Sequence, residues 1–249
     1  GMSITGADAS TPTRAGIPIG DLGSGLFSVI GMLSALLSRE KTGKGQHLDL
    51  SLLDVQISLL TYMATMQTLS GVNPEPIGNA HFVHVPYNSF TTKDGFVVIA
   101  VITDAFWQGL LNIVDVDNLR KEEFKSSTGR LQNQKFIESE LNKKLSTETS
   151  EHWINALNSA KVPCAPINSF SQALSDEQVI HRNMVVEVEH PDGGKVKMPG
   201  NPIKLSYTDE DSFSPPPHLG QHTKETLIEW CNYSESEIIE LIKKKVIAT

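Results

Sequence analysis

The sequence predicts a mixed chain of helices and strands, and three observations point there. A wide apolar stretch near the N-terminus repeats at helical spacing. Beyond Ile77 the texture changes to short alternating segments joined by turn residues. Short amphipathic helical stretches separate those segments and close the chain.

Taken in order, residues 7–20 are loop-like, with Pro12 and Pro18. Residues 22–37 follow as a helix: Leu26, Phe27, Ile30, Leu33 and Leu37 recur at helical spacing, and Val29, Met32 and Leu36 widen the stripe. So wide an apolar face predicts a helix buried on most sides. Arg39 and Lys41, then Gly43 and Gly45, are its stop signals. Residues 46–51 alternate as a short strand. Ser51 and Asp54 form a capping pattern for a second apolar helix over 52–69, ended by Gly71, Pro74 and Pro76.

Residues 87–92 and 96–101 flank Lys93-Asp94-Gly95 as a hairpin. Amphipathic helices are predicted at 104–114, 130–145 and 150–160. Residues 162–167 are extended, and 170–182 helical. A second hairpin joins 184–189 to 195–198 around Pro191-Asp192-Gly193-Gly194. Pro215-Pro216-Pro217 stiffens a linker over 212–220. Two helices close the chain at 222–230 and 235–245, the second with a capping box from Ser234 and Glu237.

Composition narrows the function classes. The 249 residues carry 21 basic and 29 acidic side chains, a net charge of −8. That balance argues against nucleic acid or an anionic membrane as partner, because no basic excess exists to neutralise phosphates. No apolar run reaches the roughly 20 residues expected of a bilayer span. Cys164 and Cys231 are the two cysteines, read as reduced thiols of a cytoplasmic protein. Cys164 sits between prolines with no nearby base and reads as packing. His81 and His84 have no further ligand at metal spacing, so no metal is expected. Thr42-Gly43-Lys44-Gly45 lacks phosphate-loop spacing and reads as a helix-ending turn.

The chemistry concentrates in Gly16-Ile17-Pro18-Ile19-Gly20-Asp21-Leu22-Gly23-Ser24-Gly25-Leu26. Two readings of Asp21 stand side by side. It caps the following helix, or it is held ionised by the helix N-terminus and serves as a nucleophile. Flanking glycines suit either close helix packing or close approach of backbone to a ligand.

The same segment resembles a known family. Gly20-Asp21 is followed by Ala35-Leu36-Leu37-Ser38-Arg39-Glu40-Lys41-Thr42-Gly43-Lys44-Gly45-Gln46 and by Ser51-Leu52-Leu53-Asp54. Further matches come in order: Gly78-Asn79; Pro86-Tyr87 with Phe90 and Asp94-Gly95; Val162-Pro163-Cys164 with Pro166; Met184-Val185. Gly200 with Pro202, Lys204-Leu205-Ser206, Leu219-Gly220 and His222-Thr223 complete the series. Together they resemble the class III CoA-transferases of the CaiB/BaiF type, which include formyl-CoA and carnitine CoA-transferases.

The resemblance implies an α/β fold: the helices and strand of a large domain over 1–70, a small α+β domain with an antiparallel sheet over 76–185, and a return segment with closing helices over 186–249. It implies that Asp21 attacks an acyl-CoA thioester, passes through an aspartyl-acyl anhydride and an aspartyl-CoA thioester, and hands CoA to an acceptor carboxylic acid. Coenzyme A is then a substrate, and no cofactor is expected. Gly78, Asn79 and His81 match the family's loop over the substrate and are implied to bind it. The loop Gly78-Asn79-Ala80-His81 holds one glycine where formyl-CoA transferases hold several. Members of the family are homodimers and considerably longer, with most nucleotide-binding residues N-terminal to the position of Asp21. The chain alone is therefore expected to have little transferase activity. Two alternatives are an acyl-CoA racemase, moving a proton at the α-carbon, and a non-catalytic partner of a separate N-terminal half.

Overall fold

The computed structural model describes residues 1–208 and 212–247. By internal contacts the chain forms two compact units, Gly1–Ile167 and Asn168–Thr249.

The first unit opens with helix α1 (Ile19–Thr42), longer at both ends than its apolar stripe. Gly43 ends it in the left-handed conformation (φ 68°), and its N–H donates to the Arg39 carbonyl at 2.7 Å. This is the stop that the glycine signalled. At 24 residues α1 is long and apolar enough to cross a membrane, which corrects the expectation that no run was. The sequence estimate fell short because Gly20 and Asp21 at one end, and residues 38–42 at the other, join the helix instead of ending it.

The helix is also not buried on most sides. Leu26 is 67% exposed and Leu33 55%, and Ile30 and Leu37 are exposed as well. The less exposed positions are Ser24, Ser28, Gly31, Ala35 and Ser38, three or four apart and therefore on one face. This face packs on the chain's own residues through small side chains. A Cβ on Gly23 would lie 2.9 Å from Leu59 Cδ1, and one on Gly31 2.9 Å from Leu48 Cδ1. Small residues let two segments approach closely, and here they turn the large apolar stripe outward.

Residues 46–51 form no strand. Alternation supplies two faces but no pairing partner, and the segment is seated on α1 by Leu48 instead of by a hydrogen-bonded ladder. The predicted second helix is two: α2 (Leu52–Leu59) and α3 (Thr61–Ser70). Ser51 caps α2, its Oγ accepting from the Asp54 N–H at 3.1 Å, an interaction worth about 1 kcal/mol. The break falls at Thr61, whose φ of 49° is an uncommon, strained conformation for a β-branched residue.

The core of this unit lies further along. Strands β1 (Tyr87–Thr91) and β2 (Phe96–Ala100) pair antiparallel in the register Tyr87↔Ala100 to Thr91↔Phe96. Asp94 ties their turn to the helix beyond by accepting from the Ser150 N–H at 2.8 Å, and these hydrogen bonds lower its pKa. Helices α4 (Asp104–Val114), α5 (Ser127–Gln132), α6 (Gln134–Leu145) and α7 (Ser150–Ser159) follow, and β3 (Cys164–Pro166) adds antiparallel to β2. Phe90, Val97, Ile99, Trp107, Leu141 and Leu157 are among the side chains that fill the core.

Arg130 is buried within this unit, 2% exposed. It donates to the carbonyls of Val85, Phe124 and Lys125 at 3.0–3.1 Å and to Asp104 Oδ1 at 2.8 Å. A charge this deep is tolerated because its donors are satisfied. Cys164 is half-buried, with Sγ 3.6 Å from Asn158 Oδ1, and burial raises its thiol pKa. That fits packing, since the thiolate is the nucleophilic form.

The second unit holds α8 (Phe170–Ser175), α9 (Glu177–His181), the hairpin β4 (Val185–Glu189) and β5 (Lys195–Pro199), α10 (Thr223–Glu229) and α11 (Glu235–Lys243). Asp176 separates α8 from α9 by capping the latter, so the helical stretch predicted over 170–182 is broken there. The box between Ser234 and Glu237 caps α11 as the sequence signalled.

Candidate active site

Asp21 lies in the first turn of α1. The helix begins at Ile19, and its cap position is Pro18, which makes no side-chain cap. Asp21 is thus already inside the helix, and its carboxylate takes no part in a hydrogen bond or ion pair among the described residues. Of the two readings that its position allowed, capping is the one that the geometry removes.

Asp21 lines a cavity of about 530 Å³, within the range of small-molecule sites. Three pieces of chain wall it: the N-terminal residues Met2, Ile4 and Thr5; Arg14 to Ile19 ahead of α1; and Gln56 with Leu59 to Met63 at the junction of α2 and α3. The strained Thr61 is part of that junction. Met2, Ile4, Ile17, Leu59, Leu60 and Met63 make the wall mostly apolar. Thr5, Arg14, Gln56 and Tyr62 supply polar groups. Arg14 and Asp21 are the charged side chains of the lining.

Gly78, Asn79 and His81 line no part of this cavity. Their loop is attached to two of its walls. The Gly78 N–H donates to the Gly6 carbonyl at 2.9 Å, next to Thr5. The Phe82 ring lies 5.9 Å from that of Tyr62. Gly78 adopts φ 65°, where glycine is favoured. Asn79 Nδ2 donates to Ser89 Oγ at 2.9 Å and so ties the loop to β1.

His81 is held on every side. Its ring stacks with Phe82 at 4.5 Å and Tyr87 at 5.2 Å, and its Nδ1 accepts from the backbone N–H groups of Val83 and His84 at 3.0 and 3.2 Å. Those bonds put the ring proton on Nε2. Burial, and after it the charge of His84, lower the pKa of His81.

Sequence reasoning missed Arg14, Gln56 and Tyr62. A lone arginine in a loop has no spacing signal, and Gln56 and Tyr62 sit on helices read only for their apolar periodicity.

Comparison with known proteins gives these observations a family. The model of CoA-transferase family III matches residues 1–223. Succinyl-CoA:glutarate CoA-transferase of Mus musculus is 33% identical over 247 residues, covering 99% of this chain and 57% of that protein. Acetyl-CoA:oxalate CoA-transferase of Acetobacter aceti is 32% identical over 216 residues, covering 86% of this chain and 54% of that one. A CAIB/BAIF family protein from Brucella suis superposes with a TM-score of 0.79 at 30% identity, over 92% of this chain and 59% of its own. The chain thus spans a little over half the length of the curated relatives it matches, and it shares the α/β fold that its sequence implied. The match over most of its length places the chain in CoA-transferase family III.

Proposed function

We propose that this chain carries the nucleophile of an enzyme that moves CoA from an acyl-CoA to a dicarboxylic acid, with Asp21 as that nucleophile. The observation that carries the reading is the position of Asp21: it is inside the first turn of α1, unbonded among the described residues, and lines a mostly apolar cavity. Relatives whose names pair succinyl-CoA with glutarate, and acetyl-CoA with oxalate, support a dicarboxylic acid as the acceptor.

The chemistry balances without a cofactor. An Asp21 oxygen attacks the thioester carbonyl carbon, the C–S bond breaks, and CoA thiolate leaves with the electron pair. The thiolate then attacks Asp21 Cγ and expels the donor acid as its carboxylate, which leaves an aspartyl-CoA thioester. An acceptor carboxylate attacks the same carbon and frees the thiolate again. Attack of the thiolate on the acceptor's acyl carbon forms the new acyl-CoA and returns Asp21 as a carboxylate. No proton is gained or lost overall. Four acyl transfers through covalent intermediates thus replace one difficult exchange. The first-turn amides of α1, at Gly20 and Asp21, have no acceptor inside the helix, which supports them as donors to the developing oxyanions.

The outward apolar stripe of α1 supports a second part of this reading. The stretch that the chain lacks relative to its relatives, on the same or a separate polypeptide, covers Leu26, Ile30, Leu33 and Leu37 and brings the CoA nucleotide. The gain from burying such side chains is about 1.5–3 kcal/mol each. The test is transfer of CoA from succinyl-CoA to labelled glutarate. The 249-residue chain alone is expected to give almost no product, and the chain completed by that stretch is expected to turn over. Full turnover by the chain alone overturns the need for completion. A completed, folded enzyme that transfers CoA to no dicarboxylic acid overturns the substrate class.

A further inference from the structure

Arg14 is the one cationic side chain that lines the Asp21 cavity, beside the α-amino group of the lining residue Gly1, and it forms no ion pair with any described residue. Arg14 and Asp21 are both solvent-exposed residues of that lining, and much of the remaining wall is apolar: Met2, Ile4, Ile17, Leu59 and Leu60. A guanidinium presents a planar fork of donors that matches a carboxylate in two parallel hydrogen bonds. A site with a reacting carboxylate, an apolar middle and an unpaired guanidinium matches a ligand with an acid group at each end and methylenes between. A monocarboxylic acid of the same length places a methyl group near Arg14 and forgoes those two hydrogen bonds.

We infer that Arg14 is a specificity-determining residue: it holds the far carboxylate of a dicarboxylic acid while the near carboxylate engages at Asp21. This rests on the transfer reading for the identity of the reacting end, but its test does not need turnover. During transfer the acceptor meets Asp21 as a neutral thioester, so the repulsion between Asp21 and a free diacid has to be removed from a binding measurement. Asp21→Asn does this while it keeps the shape of the side chain.

The experiment is a ligand-observed NMR titration of the 249-residue Asp21→Asn chain with glutarate and with pentanoate, which has the same number of carbons and one carboxylate. Glutarate is expected to bind at least about tenfold more tightly, the size of one charge-assisted hydrogen bond. Arg14→Gln in the same background is expected to abolish the difference by weakening glutarate alone. Arg14→Lys, which keeps the charge but loses the fork, is expected to retain part of it. Circular dichroism of each variant checks that the fold is intact. Equal binding of the two acids to the parent, or a preference for glutarate that survives Arg14→Gln, overturns the assignment. A preference that depends on Arg14, in a completed protein that never acylates Asp21, leaves the Arg14 site standing and removes the transfer chemistry.

Discussion

Asp21 was visible as a candidate because the ordered resemblance to class III CoA-transferases marked it; its place before a helix, taken alone, has capping as its ordinary use. What the sequence could not separate was capping from catalysis, since both need an acidic group at a helix N-terminus. The start of α1 at Ile19 removes capping, because Asp21 lies three residues past the cap position Pro18. Arg14 was not legible, because nothing in a loop's spacing says which cavity it faces. His81 was legible as a residue of interest through the family resemblance, and the structure shows what holds it. Its Nδ1 accepts two backbone N–H groups, and two aromatic rings flank it. It braces the loop that carries Gly78 and Asn79. The pKa of His81 is lowered in the folded chain, first by burial and then by His84. Between the folded and unfolded pKa values the unfolded chain binds more protons, so stability rises with pH there. The contribution is complete above the ordinary histidine value of about 6.5 and is lost as pH falls through the folded value. Urea midpoints are therefore expected to fall from about pH 7.5 to about pH 5, and to fall less in His81→Gln. An identical pH dependence in the variant would show that His81 is not the group responsible.

At the scale of elements, periodic signals read well wherever a segment meets its partner inside the chain. The hairpin of β1 and β2 follows from alternation around Asp94-Gly95, and α4 from its apolar face. The α1 stripe misled because periodicity reports that a face wants burial, not which neighbour buries it. Its small-residue face, Ser24 to Ser38, meets α2 and Leu48, and large side chains there would hold the segments apart. The break at Thr61 was illegible for a different reason: no glycine or proline marks it, and the chain accepts a strained threonine. The glycines of α1 separate these effects. A Cβ on Gly25 meets nothing within 4 Å, whereas one on Gly23 meets Leu59 Cδ1 at 2.9 Å. Gly25→Ala is expected to raise the stability of the chain by about 0.5–1 kcal/mol, the ordinary gain from replacing a mid-helix glycine. Gly23→Ala is expected to gain none of this, because Leu59 has to give way. Equal gains in urea unfolding would contradict the close approach of α1 and α2.

For the molecule as a whole, the two halves of the first unit are built differently. Residues 85–162 close their own core, with Trp107, Phe90 and Leu141 buried. Residues 19–70 place few side chains in that core and leave α1 and α2 with large apolar groups in solvent: Leu26, Leu33, Leu53 and Ile57 are each more than half exposed. The curated relatives are nearly twice as long as the stretch matched here, and the open side of α1 is where the proposed completion acts. In that completed enzyme, the central claim is that Asp21 becomes acylated and then carries CoA. The most direct measurement is mass spectrometry of the peptide containing Asp21 after brief reaction with succinyl-CoA and a hydroxylamine quench. The expected result is a hydroxamate on Asp21 that is absent from Asp21→Asn. Active turnover with Asp21 unmodified, or with the adduct on another residue, would contradict it.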